Sequence, residues 1–175
     1  MKATTLLIRQ HNKSLAALKK LAAGHGTKAI LDEVTTDLVA HMIIEETICY
    51  PAVREMKKDL ILEAYEEHAI AQLSIKRLVA TPLDSDQFEA RATTLKELIQ
   101  HHVDEEQDEL FPKVEKALGD DGLEALGASM KAKFDEMVPR GWAELLPQGA
   151  GKTTSDASSS AKAKKPKNQS AAVAS

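Results

Sequence analysis

One pattern occurs twice in this chain, and it limits the possible folds more than any other feature. The segment "HMIIEETICYP" at 41–51 reappears as "HVDEEQDELFP" at 102–112. Both copies fit H-x3-E-x4-(Y/F)-P. In a helix the His and the Glu lie one turn apart on the same face. Each copy therefore predicts one helix that carries a His/Glu pair and meets a proline.

The segments that precede these two copies repeat as well. "HNKSLAALKKLAA" at 11–23 matches "HAIAQLSIKRLVA" at 68–80, and both have the form H-x6-(L/I)-K-(K/R)-L-x-A. Residues 5–55 and 62–116 are therefore predicted to be two copies of one helical hairpin. Each hairpin supplies one lone His and one H-x3-E pair, and the two sets are expected to meet about a pseudo-two-fold axis.

Apolar residues at steps of three and four predict the helices. Four long helices are predicted at 5–23, 27–50, 59–80 and 86–118, followed by a shorter one at 123–137. Pro51 and Pro112 are expected to kink or end their helices, and Asp84 or Ser85 is expected to cap the fourth. Because the loops are short, neighbouring helices should run antiparallel. The predicted fold is all-α, an up-down-up-down four-helix bundle with a short C-terminal helix.

Composition narrows the class of protein further. Aromatic residues make up only 3% of the chain, so the core must consist mainly of Leu, Ile, Val and Ala. The single cysteine, Cys49, excludes an internal disulfide. No apolar run reaches the roughly 18 residues of a membrane helix, and the N-terminal apolar stretch meets Arg9 too early for a signal peptide. We expect a cytoplasmic protein, and a monomer.

Charge divides the chain into two parts. Residues 148–175 contain five Lys and one Asp, so this tail has a net charge of +4. Because the net charge of the whole chain is −4, residues 1–147 have a net charge of −8. Because residues 1–147 are acidic, we do not expect this domain to bind nucleic acid. The basic tail is the part of the chain that would make such a contact. We predict a bundle over 1–147 and a disordered Lys/Ser/Ala-rich tail over 148–175.

Six ionisable residues occupy positions where core leucines normally stand. They lie on the inward stripes of the four long helices: His11, His41, Glu45, His68, His102 and Glu106. A buried carboxylate costs several kcal/mol, on the order of the penalty for any buried ion, unless a counter-charge is present. Two divalent cations would supply that charge. The alternative is a metal-free core of His/Glu pairs in a helical interaction module.

The donor types restrict the choice of metal. The set contains no thiolate, which excludes a zinc site of the cysteine type, whereas calcium and magnesium prefer oxygen throughout. Two iron ions bridged by the two carboxylates fit this set best, and manganese or zinc fits it less well. The ligands do not fill two six-coordinate metals, so positions stay open for a small molecule.

The combined pattern H…HxxxE…H…HxxxE, with its "HHVDEEQDELFP" segment, resembles the hemerythrin-like, HHE-type cation-binding domains over about residues 5–118. The resemblance implies a non-haem di-iron centre with an oxo or hydroxo bridge inside a four-helix bundle. By position, the four histidines would ligate iron. Glu45 and Glu106 would bridge the two ions.

One departure from that family concerns the third helix. The oxygen-carrying members have a fifth histidine there, as H-x3-H, whereas this chain has Ala64 four residues before His68 and Gln72 four residues after it. Water, Gln72 or Tyr65 would have to fill the open position, and Tyr50 is a further candidate for an outer partner of the site. This departure favours a more open centre.

The function that follows is a non-haem di-iron protein that binds or senses O2, NO or peroxide, in iron handling or in oxidative or nitrosative stress. One alternative is a catalase-like enzyme that decomposes peroxide at the same centre. A second is the metal-free interaction module. His101, Glu46, Glu105 and Glu109 are interpreted as solvated charges outside the site.

Overall fold

The computed structural model describes residues 1–146, and every secondary-structure element in this part of the chain is a helix. The α-helices of this part are α1 Ala3–Ala22, α2 Lys28–Ile44, α3 Tyr50–Val53, α4 Lys58–Val79, α5 Asp86–Glu105, α6 Phe111–Met137 and α7 Trp142–Leu145. Two π-helical segments, Glu45–Cys49 and Glu106–Leu110, follow α2 and α5, and short 3-10 turns span Arg54–Met56 and Val138–Arg140. The predicted disordered tail falls outside the described residues.

Four long helices, α1, α2, α4 and α5, form the bundle. His11 lies opposite His41, and two residues further along α1 Lys13 pairs with Asp37 at 2.6 Å, so α1 and α2 run antiparallel. The helices α4 and α5 are also antiparallel, because His68 lies opposite His102 and, further along α4, the Arg77 carbonyl accepts from the Arg91 side chain. The predicted all-α four-helix bundle is confirmed. Within residues 1–146 no helix is long and apolar enough to cross a membrane.

Side-chain caps mark two helix starts. The Thr27 hydroxyl accepts the Ile30 N–H at 3.2 Å, and the Ser85 hydroxyl accepts the Gln87 N–H at 3.2 Å. Each cap satisfies a backbone donor that has no partner inside the helix. Ser85, rather than the alternative Asp84, is therefore the cap of α5.

The two prolines neither end nor interrupt their helical runs in the predicted way. Each follows a π-helical segment, in which the N–H of Tyr50 donates to the Glu45 carbonyl and that of Phe111 to the Glu106 carbonyl. Pro51 and Pro112 then stand in the first turn of the next α-helix. A first-turn N–H has no intrahelical partner, so proline removes no hydrogen bond there.

The last helical segments cover one end and one side of the bundle. Gly119, with φ of 62°, breaks α6 where the fourth and fifth helices were predicted to separate. At Gly127 an added Cβ would lie 2.3 Å from the Met1 carbonyl oxygen, because α6 crosses the start of α1 at backbone contact. Trp142 ties α7 to α2 by donating its indole N–H to Asp32 at 3.3 Å.

A polar layer divides the hydrophobic core into two clusters. One cluster contains Leu7, Tyr50 and Phe111, and the other contains Leu18 and Phe88. On α1, the buried His11 lies between Leu7 and Leu18 and belongs to this polar layer. The helices therefore pack by hydrophobic contact at both ends, and they hold a group of ionisable side chains between those ends.

Candidate metal centre

The structure brings all six predicted residues together in the polar layer. None of them is more than 5% exposed: His11, His41, Glu45, His68, His102 and Glu106. They come from the middle of α1, the ends of α2 and α5, the middle of α4 and the first residue of each π-helical segment. The duplicated hairpins thus converge on one place.

The histidines face each other in two pairs. His11 Nε2 lies 2.9 Å from His41 Nε2, and His68 Nε2 lies 3.2 Å from His102 Nε2. Each pair comes from a single hairpin. Two ring nitrogens that approach head-on in this way leave both in position to donate electron pairs to one cation.

The two carboxylates lie between the histidine pairs. Glu45 Oε2 is 3.2 Å from His41 Nε2 and 3.4 Å from His68 Nε2. Glu106 Oε2 is 3.4 Å from His11 Nε2 and 3.7 Å from His102 Nε2. Because each carboxylate faces a histidine of either hairpin, each is placed to contact two ions at once.

Three carboxylate oxygens test whether a cation fits this cluster. Glu45 Oε1, Glu45 Oε2 and Glu106 Oε2 are buried and have no hydrogen-bond partner among the described residues. An ionised carboxylate without such a partner is strongly unfavourable in a protein interior. Four imidazole nitrogens within reach of these oxygens complete a nitrogen/oxygen donor set. The residues present therefore fit a pair of metal cations.

The pKa values of Glu45 and His68 also indicate that the cluster favours positive charge. Burial opposes the ionisation of Glu45, yet His41 and His68 outweigh it and hold the pKa of Glu45 well below its usual value. Burial likewise opposes the charging of His68, but the nearby Glu45 carboxylate and the hydrogen bond to Glu46 raise the pKa of His68 to about 9. Both shifts favour a positive charge beside the buried carboxylates.

Each histidine also has an outer partner at its other ring nitrogen. His41 Nδ1 lies 2.8 Å from Gln10 Oε1, and His11 Nδ1 lies 3.3 Å from Gln107 Nε2. A half-turn of the Gln107 carboxamide would exchange its nitrogen for its oxygen. These two histidines, both of the first hairpin, are therefore backed by neutral amides.

Carboxylates take the same places in the second hairpin's pair. His68 Nδ1 lies 3.0 Å from Glu46 Oε1, and His102 Nδ1 lies 2.8 Å from Glu67 Oε2. Partial burial opposes the ionisation of Glu67, but the hydrogen bond from His102 and the charges of the neighbouring histidines together lower the pKa of Glu67. Partners of this kind orient metal-ligating histidines and fix the proton on Nδ1.

Sequence reasoning missed all four outer partners. It treated Glu46 as a solvated charge and did not consider Gln10, Glu67 or Gln107. A signal was present, because the four residues occupy matched positions of the repeat. One precedes the lone histidine of each hairpin, and one follows the glutamate of each H-x3-E pair.

Of the three predicted outer residues, Tyr50 reaches the cluster. Its buried hydroxyl donates to Glu106 Oε1 at 2.9 Å and lies 3.4 Å from His68 Nε2. Burial and the charge of Glu106 raise the pKa of Tyr50, so the phenol stays protonated. Tyr65 instead donates to the Glu46 carbonyl at 3.1 Å, behind the Tyr50 ring. Gln72 is half-buried and does not line the site cavity.

A small cavity adjoins the four imidazoles. Its volume is about 10 Å³, the room of roughly one water molecule. Besides the imidazoles, it is lined by Ser14, Leu38, Met42, Ile99 and Val103. The space next to the ring nitrogens is therefore tight and mostly apolar.

A second group of ionisable residues lies at the surface near α5. His101 Nε2 is 3.4 Å from Glu105 Oε1 and 3.6 Å from Glu67 Oε1, and the His101 side chain is 62% exposed. His101 thus points away from the buried cluster, as its position one residue before His102 predicted. Among residues 1–146, Glu67 links His101 to the centre, since Glu67 also contacts His102.

Known proteins resemble this chain in structure and in sequence. A crystal structure of a hemerythrin HHE cation-binding domain-containing protein from Mycobacterium kansasii superposes with a TM-score of 0.69 at 26% identity, over 80% of this chain and 89% of that one. A DNA nickase from Nostoc sp. strain PCC 7120 is 24% identical over 134 residues. That match covers 74% of this chain and 38% of the nickase, so this chain spans well under half of that relative.

The sequence profile of the hemerythrin HHE cation-binding domain matches residues 2–114. This range includes the first hairpin, all but the last two residues of the second, and all six residues of the buried cluster. The fold, the cluster and the profile match agree, and the chain belongs to the hemerythrin HHE cation-binding domain family.

Proposed function

We propose that this protein holds two iron ions in the buried cluster and binds or senses a small oxygen- or nitrogen-containing molecule there. The observation that carries the proposal is the set of buried carboxylate oxygens without hydrogen-bond partners, on Glu45 and Glu106, surrounded by imidazole nitrogens. Iron suits this mixture of donors better than manganese or zinc.

The roles of the side chains follow from their distances. His11 and His41 would hold one ion, and His68 and His102 the other. Glu45 and Glu106 would bridge them, since each faces both histidine pairs. A pair of iron ions supplies the electrons with which such sites bind or reduce small ligands. The chain itself supplies orientation, through the partners of each Nδ1, and a closed, water-poor surrounding.

The size of the cavity favours the smallest ligands. With room for about one water molecule next to the imidazoles, it excludes ligands of more than a few atoms unless the surrounding side chains rearrange, which leaves O2, NO and peroxide as the candidates. Its apolar lining has few groups to orient a polar molecule. Binding or sensing of these molecules, in iron handling or in oxidative or nitrosative stress, is therefore the function we propose.

Metal analysis tests the first part of the proposal. Protein purified without heating or chelators should contain iron, and the metal-free form should take up about two Fe(II) per chain under anaerobic conditions, as expected for two six-coordinate ions sharing these ligands. A visible spectrum that changes on adding peroxide or NO should follow. Uptake of well under one ion per chain would instead favour the metal-free interaction module.

Peroxide decomposition is a second candidate function, and Tyr50 favours it. Its hydroxyl donates to Glu106 Oε1 inside the cluster, and a protonated phenol at this place would become a proton donor to a bound ligand if that hydrogen bond were exchanged. Oxygen release from added peroxide should then exceed that of free iron, and Tyr50→Phe should lower it by about 10-fold or more, the low end of general-acid effects. Tyr65→Phe is the control. Turnover no higher than that of free iron would exclude this candidate.

DNA contact is not part of the proposed function. The likeness to the DNA nickase covers 38% of that protein, and residues 1–147 carry the excess of negative charge. A supercoiled plasmid should stay intact with the iron-loaded chain when a hydroxyl-radical scavenger is present. Nicking that persists under those conditions, seen on an agarose gel, would contradict this.

A further inference from the structure

The inner and outer residues of the cluster follow different rules. Inside, the two hairpins supply the same set of two histidines and one glutamate. Outside, the side chains that contact Nδ1 differ in charge between the two histidine pairs. The amides Gln10 and Gln107 back the first pair, and the carboxylates Glu46 and Glu67 back the second.

The outer partners are exchanged between the hairpins in a regular way. The residue before each lone histidine contacts the other histidine of its own hairpin, as Gln10 does His41 and Glu67 does His102. The residue after each bridging glutamate contacts the lone histidine of the opposite hairpin, as Glu46 does His68. The positions are thus equivalent by pseudo-symmetry, and only the charge differs.

A carboxylate acts on a metal-bound imidazole in two ways that an amide does not. It accepts the Nδ1 proton in a charge-assisted hydrogen bond, which is about twice as strong as a neutral one and makes the imidazole a better donor. It also adds negative charge within one ring's width of the ion. Glu67 and Glu46 are 12% and 27% exposed, so water screens them only in part.

We propose that the two metal positions are unequal, and that the position of His68 and His102 fills first and binds its ion more tightly than that of His11 and His41. This inference rests on the proposed function, since it requires metal at both positions. Glu46 and Glu67 are then positioning residues whose charge sets the affinity of one ion and leaves the other almost unchanged.

Stepwise binding tests the inference with Fe(II), and with Co(II) as a spectroscopic probe, added anaerobically to the metal-free chain. The wild type should bind in two resolved steps. The double variant Glu46→Gln/Glu67→Gln keeps the size and the hydrogen-bond acceptor but removes both charges. It should weaken the tight step about 10- to 100-fold, the usual effect of losing such partners, and leave the weaker step nearly unchanged.

Two comparison variants separate local charge from a general effect. Glu105→Gln/Glu109→Gln removes the same charge from neighbouring surface residues that do not contact a ligand histidine, and both steps should stay as in the wild type. Gln10→Glu/Gln107→Glu makes the first pair resemble the second, and it should tighten the weaker step. Mössbauer spectra of 57Fe-loaded protein should show two signals of equal area, of which Glu46→Gln/Glu67→Gln shifts one.

The possible failures are distinguishable. If the chain binds no metal, the proposed function and this inference both fail. If it binds two ions in equal steps with one Mössbauer signal, only the inequality is wrong. The inequality is also overturned if Glu46→Gln/Glu67→Gln weakens both steps alike, or if the surface control does as much.

Discussion

The two hairpins differ little in the residues that face the centre of the bundle and strongly in those one shell further out. Both supply two histidines and a glutamate with ring nitrogens and oxygens at similar distances. Around the first pair stand two amides and the Phe111 ring, stacked 6.0 Å from that of His11. Around the second stand two carboxylates and the Tyr50 hydroxyl.

The residues that the two hairpins share and those in which they differ have separate roles. The shared residues determine that a pair of cations can be held at all, because both positions need the same donor types. The unshared residues determine what each ion experiences, because charge and hydrogen bonding act on the metal through the ligand rings. A duplicated framework can therefore carry two chemically distinct positions.

The largest expected effect comes from the carboxylate that lies nearer to both histidine pairs. Glu45 Oε2 is 3.2 and 3.4 Å from the nearest ring nitrogen of each pair, whereas Glu106 Oε2 is 3.4 and 3.7 Å from its two. Glu45→Ala should thus reduce bound iron from about two ions per chain to nearly none, and Glu106→Ala should leave about one. Elemental analysis of both variants measures this. Equal losses would show that the two glutamates are equivalent.

Acid should empty both positions. A histidine binds metal only in its neutral form, so protons compete with iron for the ring nitrogens. In the metal-free chain the pKa of His68 is about 9, so affinity at its position should already fall as the pH drops below about 9, and both positions should empty below the ordinary imidazole pKa of about 6.5. Iron retained after dialysis across this range gives the measurement. Two separate release steps would sharpen the contrast between the halves, while full retention at about pH 4 would contradict imidazole ligation.

Removing one histidine should affect one half only. His102→Ala should cost about one of the two ions, since it removes one of two nitrogen ligands at its position. The adjacent His101 is 62% exposed and serves as the matched control, so His101→Ala should leave the metal content unchanged. Iron loss in His101→Ala alone would mean that the register of α5 is wrong by one residue.

The smallest expected effect concerns Tyr50 and Phe111, which occupy matched positions. Tyr50→Phe makes the halves alike at this point and removes one hydrogen bond to Glu106, which should lower the free energy of unfolding by about 1 kcal/mol. Urea unfolding of the variant beside Tyr65→Phe measures the change. A loss of several kcal/mol would show that Tyr50 supports the core in a further way.

Helices and inward stripes were predictable because both depend on local periodicity. The observed helix ends lie within a few residues of the predicted ones, and Gly119 breaks α6 where expected. The prolines were harder. A π-helical segment places Pro51 in a first turn, and this adjustment depends on the backbone register around Glu45, which no local propensity reports.

The outer partners of the histidines do not follow from periodicity along one helix, because they lie on different helices from the rings they contact. Glu46 and His68 meet across the interface of α2 and α4. Whether a half-exposed glutamate turns to solvent or to a neighbouring ring depends on how the two helices are rotated against each other.

The repeat and the 3.6-residue period are enough to specify a helical bundle with six ionisable residues on its buried faces. Helix packing specifies the rest: the histidines pair within each hairpin, Tyr50 rather than Tyr65 reaches the cluster, and carboxylates back one pair and amides the other. These contacts depend on the rotation and register of packed helices, which the whole core determines together.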